Sequence, residues 1–165
     1  MKILQRSLLI ALILSSCIGC DQITKNLARR SLANSEPMTF LHDIFRLEYL
    51  ENPGAFLSLG ASSPANTRFW IFTFCTGIFL IGMLIYLMAS SVNSRAKTIS
   101  LTLVVGGGIG NLIDRIGNQG RVIDFMNLGI GSLRTGVFNV ADVTLSLGIA
   151  WFFIISYQES RDQLN

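Results

Sequence analysis

Two aspartates, Asp124 and Asp142, are the residues of this sequence best suited to catalysis, because each is set among apolar neighbours. Two carboxylates within a few Å of each other do not both ionise easily, so they share a proton and act as an acid–base pair near neutral pH. Such a pair activates water for hydrolysis. The two aspartates lie on different predicted elements, an arrangement that permits them to meet in space without requiring it.

Other hydrolytic chemistries have too few candidate residues. His42 is the only histidine, and with no partner near it in the sequence it is interpreted as a surface residue. A Ser–His–Asp set, a Cys–His pair and a zinc cluster therefore lack the side chains that they require. An alternative use of the carboxylates remains open, in which Asp114, Asp124 and Asp142 bind Mg²⁺ in a membrane phosphotransferase or phosphatase.

Three further polar groups precede Asp124 in the sequence. Asp21 and Lys25 are four residues apart and face each other on a helix, either as an ion pair or as substrate-binding residues. Asn52-Pro53-Gly54 is either a plain turn or a site where an amide and a small residue receive an extended peptide. The third group, Asn111, Asp114 and Arg115, lies on one helix face at i, i+3 and i+4. These residues are expected either to support the neighbouring structure or to bind a ligand at the membrane interface.

Each aspartate also has a purely structural interpretation. Asp124 fits a turn or capping role. Asn139 fits the N-cap of a helix, with Asp142 favoured in its first turn by the helix dipole.

The elements that position these residues are predicted to be membrane helices. Half of the residues are apolar and 14% are charged, with a mean hydropathy of +0.52, and the charges cluster between long apolar runs. Spans are predicted at about 7–27, 69–89, 98–115 and 138–157 within one domain of residues 1–165. The net charge of +3 is small and scattered, which argues against nucleic-acid binding.

The first apolar segment also resembles a secretory leader. Lys2 and Arg6 precede it, and Leu14-Ser15-Ser16-Cys17 resembles the cleavage site of a lipoprotein precursor, which would begin the mature chain at Cys17. The three later apolar segments favour an uncleaved first span instead. A non-enzymatic alternative is a small membrane adaptor, in which the polar groups join helices together.

Polar regions lie between spans one and two and between spans three and four. The mixed apolar and charged run from Ile44, and the piece from Val122 to Leu128, are typical of half-buried strands. A small β-layer on the outer membrane face is therefore predicted. Four spans place both termini on one side of the membrane. Lys and Arg are usually more numerous on the cytoplasmic side, yet here most of them lie on the side opposite to the termini. Charge therefore does not give the cytoplasmic orientation of the termini that the family resemblance below implies.

The ordered set of motifs resembles the prolipoprotein signal peptidase (signal peptidase II) family, from Asp21 to Asp142. The motif set is specific as a whole, although each motif alone is weak. The matching motifs are Asp21 with Lys25, Asn52-x-Gly54-Ala55, Gly107-x-x-Gly110-Asn111-x-x-Asp114-Arg115, Val122-x-Asp124-Phe125 and Phe138-Asn139-x-Ala141-Asp142.

The resemblance implies a role for each motif residue. Asp124 and Asp142 align with the catalytic dyad, without showing which is the general base. The family residues that shape the site or hold the substrate align with Asn111, Asp114, Arg115 and Asn139 of this sequence. Other motif positions are Asp21, Lys25, Asn52, Gly54 and Ala141.

The resemblance also implies an all-α membrane protein of four transmembrane helices with a small extracytoplasmic β-sheet cradle. It implies an aspartic endopeptidase of the bacterial inner membrane, with cytoplasmic termini and the site near the periplasmic face. The substrates are diacylglyceryl-modified prolipoproteins, cut before the lipidated cysteine, and globomycin is the family inhibitor. A monomer in contact with membrane lipid is expected, with no metal, cofactor or nucleic acid.

Overall fold

The computed structural model describes residues 3–55, 58–89 and 94–162. Four helical stretches in these ranges are long and apolar enough to cross a membrane. The helices are α1 (Ile3–Leu32), α2 (Ala65–Arg68), α3 (Thr76–Ala89), α4 (Arg95–Gly117) and α5 (Val140–Asp162), and a π-helical segment (Phe69–Cys75) joins α2 to α3 in one stretch. The sequence Leu14–Cys17, which resembles a cleavage site, lies inside α1.

Helix α4 is the central helix of the bundle and contacts α1, α3 and α5. Its glycines permit this close approach. A Cβ added at Gly107 would lie 3.0 Å from the Leu145 side chain on α5, and one added at Gly108 would lie 2.6 Å from Leu80 on α3. The glycine-rich run therefore brings the polar end of α4 close to both neighbouring helices.

The polar regions between spans form one antiparallel sheet in the order β1-β2-β3-β4. Its strands are β1 (Met38–Phe40), β2 (Phe45–Asn52), β3 (Val122–Ile130) and β4 (Leu133–Arg134). Pairing of β2 with β3 places Leu50 opposite Asp124 and Asn52 opposite Val122. The sheet thus brings the Asn52 motif next to the Asp124 motif, although they are far apart in the sequence.

A small apolar cluster fixes the sheet to the helices. Phe125 on β3 is buried with Ala28 and Leu32 at the end of α1. Successive side chains of a strand point to opposite faces, so Phe125 faces α1 and Asp124 faces away from it. The predicted fold class, four membrane helices with a small β-sheet, is confirmed.

Candidate active site

Asp124 and Asp142 open onto one cleft of about 400 Å³ between the sheet and the helix ends. Three other predicted site residues also line it, namely Asn52, Asn111 and Arg115. The rest of the lining is largely apolar. The structure therefore brings the two aspartates together, which the sequence only permitted.

Asp124 is held on β3 by amide side chains from two other elements. Its Oδ2 accepts a hydrogen bond from Asn52 Nδ2 at 3.0 Å, and its Oδ1 accepts one from Asn139 Nδ2 at 2.7 Å. The pKa of Asp124 is raised to about 6, mainly by burial and also by the nearby charge of Asp142, against the lowering effect of the two amides. Asp124 therefore keeps its proton to a higher pH than an ordinary aspartate does.

Asp142 forms a reciprocal cap with Asn139 at the start of α5. The Asn139 backbone N–H donates to Asp142 Oδ2 at 3.1 Å, and the Asp142 backbone N–H donates to Asn139 Oδ1 at 3.0 Å. This is the geometry of a capping box. The capping interpretation of the sequence is correct, and it is compatible with catalysis because Asp142 also lines the cleft.

A chain of amides connects the two carboxylates. Asn139 Nδ2 donates both to Asp124 Oδ1 and to Asn111 Oδ1, the latter at 3.1 Å. Asn111 Nδ2 in turn donates to Asp142 Oδ1 at 2.8 Å. Because Asn139 is fully buried, this chain sets the relative position of the two carboxyl groups.

Lys25 is the centre of a second layer of charges behind the cleft. Its Nζ lies 2.8 Å from Asp21 Oδ2 and 2.9 Å from Asp114 Oδ2, and it donates to Asn111 Oδ1 at 2.9 Å. The Lys25 side chain is only 1% exposed. The ion-pair interpretation of Asp21 and Lys25 is correct, and the pair is part of a larger cluster.

The carboxylates of this second layer fix the backbone next to each cleft aspartate. Asp21 Oδ1 accepts the backbone N–H of Ala141 at 2.9 Å, one residue before Asp142. Asp114 Oδ2 accepts the backbone N–H of Ile123 at 3.0 Å, one residue before Asp124. Lys25 therefore connects the supports of both aspartates.

Gln22 is a member of this cluster that the sequence analysis missed. Its Nε2 donates to Asp114 Oδ1 at 2.9 Å and to the Gly110 carbonyl at 3.2 Å. The signal available in the sequence was its spacing, because Gln22 is three residues before Lys25 and so lies near it on the helix.

Asn52 and Arg115 shape the chain at the cleft edge. Asn52 Oδ1 accepts the Gly54 N–H at 2.9 Å, which is a side-chain-mediated turn. Arg115 Nη2 donates to the Gly54 carbonyl at 3.0 Å. A Cβ at Gly54 would lie 2.5 Å from the Leu59 carbonyl oxygen, so this position has no room for a side chain.

Asp114 does not face the cleft, since its oxygens bind Lys25, Gln22 and the Ile123 N–H. The three carboxylates of the Mg²⁺ alternative therefore do not converge. Across residues 3–55, 58–89 and 94–162, no group of three or more His, Cys, Asp or Glu side chains is placed to hold a metal ion.

Comparison with known proteins agrees with the family resemblance of the sequence motifs. The family model described as Signal peptidase (SPase) II matches residues 13–158. The lipoprotein signal peptidase of Streptococcus agalactiae serotype V is 35% identical over 158 residues, covering 95% of this chain and 97% of the relative. That of Syntrophus aciditrophicus is 33% identical over 143 residues, covering 87% and 88%.

Two solved structures share the fold. A bacterial membrane enzyme determined by the in meso method at 2.3 Å resolution has a TM-score of 0.78 at 23% identity, over 93% of this chain and 90% of that chain. A second bacterial membrane enzyme, at 1.9 Å resolution, has a TM-score of 0.72 at 25% identity, over 88% and 90%. The family match includes both motif aspartates, the second and third helical stretches, and most of the first and last. The chain therefore belongs to the signal peptidase II family, a family of membrane proteases that process lipoproteins.

Proposed function

We propose that this protein is an aspartic endopeptidase that removes signal peptides from diacylglyceryl-modified prolipoproteins by cutting just before the lipidated cysteine. The observation that carries the proposal is the placement of Asp124 and Asp142 on one cleft at the end of the spans. Family membership supports signal-peptide removal from prolipoproteins. The raised pKa of Asp124 supports the acid–base mechanism.

In the proposed mechanism Asp142 is the general base and Asp124 the general acid. Burial favours the protonated form of Asp124, which suits it to the acid role and leaves Asp142 as the base. Asp142 takes a proton from water while the water oxygen adds to the scissile carbonyl carbon, and Asp124 gives its proton to the carbonyl oxygen.

The second half of the reaction reverses these roles. Asp142 returns its proton to the amide nitrogen of the leaving group, and the C–N bond breaks. Asp124 takes the proton back from the hydroxyl as the new carboxyl group forms. Protons balance over the cycle, one water is consumed, and both aspartates return to their starting state.

We further propose that the enzyme works as a monomer in the bacterial inner membrane. Both termini would be cytoplasmic and the cleft would open at the periplasmic face. The lipid chains of the substrate would lie against the spans. Because those chains are already in lipid before binding, they would serve more to select the substrate than to add affinity.

Cleavage by the purified full chain tests this function. We expect a diacylglyceryl-modified precursor to be cut before its cysteine, with a chelator present, and the same precursor without the lipid to be left essentially intact. Mass spectrometry of both fragments gives the cleavage position. Equal cleavage of the unmodified precursor, or loss of activity with chelator alone, would show that the proposed substrate or mechanism is wrong.

The pH dependence of turnover tests the roles of the two aspartates. If Asp124 must be protonated, activity is present below its pKa and is lost as the pH rises through about 6. The Asn52 hydrogen bond lowers the pKa of Asp124, so Asn52→Ala is expected to raise that pKa and move the falling limb to higher pH.

The control is Asn26→Ala, at an exposed asparagine of α1 whose amide donates to the Gln22 carbonyl. This variant is expected to keep the wild-type midpoint. If the pH at which turnover falls by half stays the same in Asn52→Ala, or moves lower, the assignment of Asp124 as the acid is contradicted. This pH is informative even where the variant has a lower maximum turnover, because it does not depend on the size of that maximum.

A further inference from the structure

A second cavity, of about 320 Å³, lies beside the catalytic cleft and is lined by two arginines, Arg68 and Arg115. Arg68 ends α2 and Arg115 is in the last turn of α4, so both stand at the ends of candidate spans. Arg115 lines both cavities and therefore separates them. In the part of the chain that the structure describes, none of the residues lining this second cavity is acidic.

The guanidinium groups at this cavity have hydrogen-bonding capacity left over. Arg115 Nη1 and Nη2 each donate to one backbone carbonyl, of Asn111 and of Gly54, and each of these atoms carries a second N–H. Arg68 donates from Nη1 to the carbonyls of Ala61, at 2.9 Å, and Ser63, at 2.7 Å, and it forms no ion pair with a described carboxylate. The Nε and Nη2 atoms of Arg68 make no hydrogen bond to a described residue, so a ligand in this cavity that accepts from Arg68 is favoured.

The charge balance of the two arginines also favours an anion. Asp142, Asp124 and Asp114 all interact with Arg115, but none of the three lines the second cavity. Arg68, which has no carboxylate partner among the described residues, adds a positive charge to the cavity. Thr73 and Gln119 line the same cavity and add neutral donors. Guanidinium groups bind phosphate oxygens through paired, charge-assisted hydrogen bonds.

We propose that this cavity binds a phosphate group between Arg68 and Arg115, supplied by the headgroup of an anionic membrane phospholipid. The indole of Trp70, two residues after Arg68, is about half exposed. Such side chains concentrate at the level of the lipid headgroups. The phosphate of a neighbouring lipid is therefore within the same layer as the cavity.

A bound phosphate would connect two anchors of one segment. Arg115 holds the Gly54 carbonyl at the start of that segment, and Arg68 holds the Ala61 and Ser63 carbonyls near its end. A single anion that contacts both guanidinium groups would therefore link the cleft edge at Gly54 to the beginning of the second span.

Lipid retention by the full chain in detergent, measured by native mass spectrometry, tests the proposal. The probes are phosphatidylglycerol, diacylglycerol as the same lipid without phosphate, and free glycerol phosphate. We expect Arg68→Gln, which removes a charge-assisted hydrogen bond, and Gln119→Glu, which adds a charge that repels phosphate, each to weaken phosphatidylglycerol binding at least about tenfold. Gln119→Glu leaves both arginines and their carbonyl contacts in place, so it separates anion binding from loop support.

The matched control is Arg30→Gln, which removes the same charge from an exposed position on α1 outside the cavity. It is expected to bind phosphatidylglycerol like the wild type. Equal weakening by Arg30→Gln, unchanged binding in Gln119→Glu, or equal retention of diacylglycerol would overturn the proposal. Free glycerol phosphate bound as tightly as the lipid would support the phosphate site and overturn the lipid as its source.

Discussion

Asp124→Asn and Asp142→Asn are each expected to lower cleavage of a diacylglyceryl-modified precursor on the order of 10³-fold or more. An asparagine has nearly the same shape as an aspartate, but it neither accepts nor returns a proton at neutral pH, so the acid–base step is lost. The measurement is single-turnover cleavage by purified variants at equal concentration, with a chelator present throughout.

The matched control is Asp162→Asn, at an exposed aspartate near the end of α5. This variant is expected to keep wild-type turnover, which separates loss of a catalytic group from a general loss of negative charge. Thermal unfolding of each variant shows whether it is folded. A folded Asp124→Asn or Asp142→Asn variant with near wild-type turnover would remove that residue from the proposed dyad.

Lys25→Met is expected to destabilise the fold by about 3–5 kcal/mol. It leaves Asp21 and Asp114 buried at close range without the cation that separates them, and breaking a buried ion pair costs about this much. The measurement is denaturant unfolding in detergent micelles, followed by the signals of the two tryptophans.

Lys97→Met provides the comparison at the other end of the bundle. Lys97 forms an ion pair with Glu159 in which both side chains are partly exposed, so its loss is expected to cost less than about 1 kcal/mol. Equal effects of the two substitutions on stability would contradict a special role for the Lys25 cluster.

Lys25→Met is also expected to lower turnover, because Asp21 and Asp114 support the backbone at Ala141 and Ile123, next to the two cleft aspartates.

These two predictions separate chemistry from positioning. The aspartate variants are expected to keep the fold and lose turnover, whereas the Lys25 variant is expected to lose stability and turnover together. The adaptor alternative, in which the polar groups only join helices, predicts the opposite for the aspartates, with lost stability as the primary effect.

The sequence by itself determined the membrane architecture, because helices of this length and apolarity leave few other ways to satisfy the backbone in lipid. It also placed strands near Ile44 and Val122, since the alternation of apolar and polar residues is a local property. The ordered motifs were sufficient to identify the family. Each of these conclusions depends on residues that are close in the chain.

The tertiary structure alone decided which carboxylates face the cleft. The sequence left open whether Asp114 joins Asp124 and Asp142 in one site; in the structure Asp114 is turned towards Lys25, while the other two line the cleft. That outcome depends on the pairing of β2 with β3 and on the packing of α4 against α5 and α1. Contacts between segments distant in the chain have no local signal.

The roles of Gln22 and of the cavity between Arg68 and Arg115 were decided in the same way. Gln22 looks like an ordinary polar residue until Asp114 and the Gly110 carbonyl, from another helix, are placed beside it. The two arginines belong to different spans and meet only after those helices pack. The sequence therefore supplied the chemical groups, and long-range packing determined which of them act together.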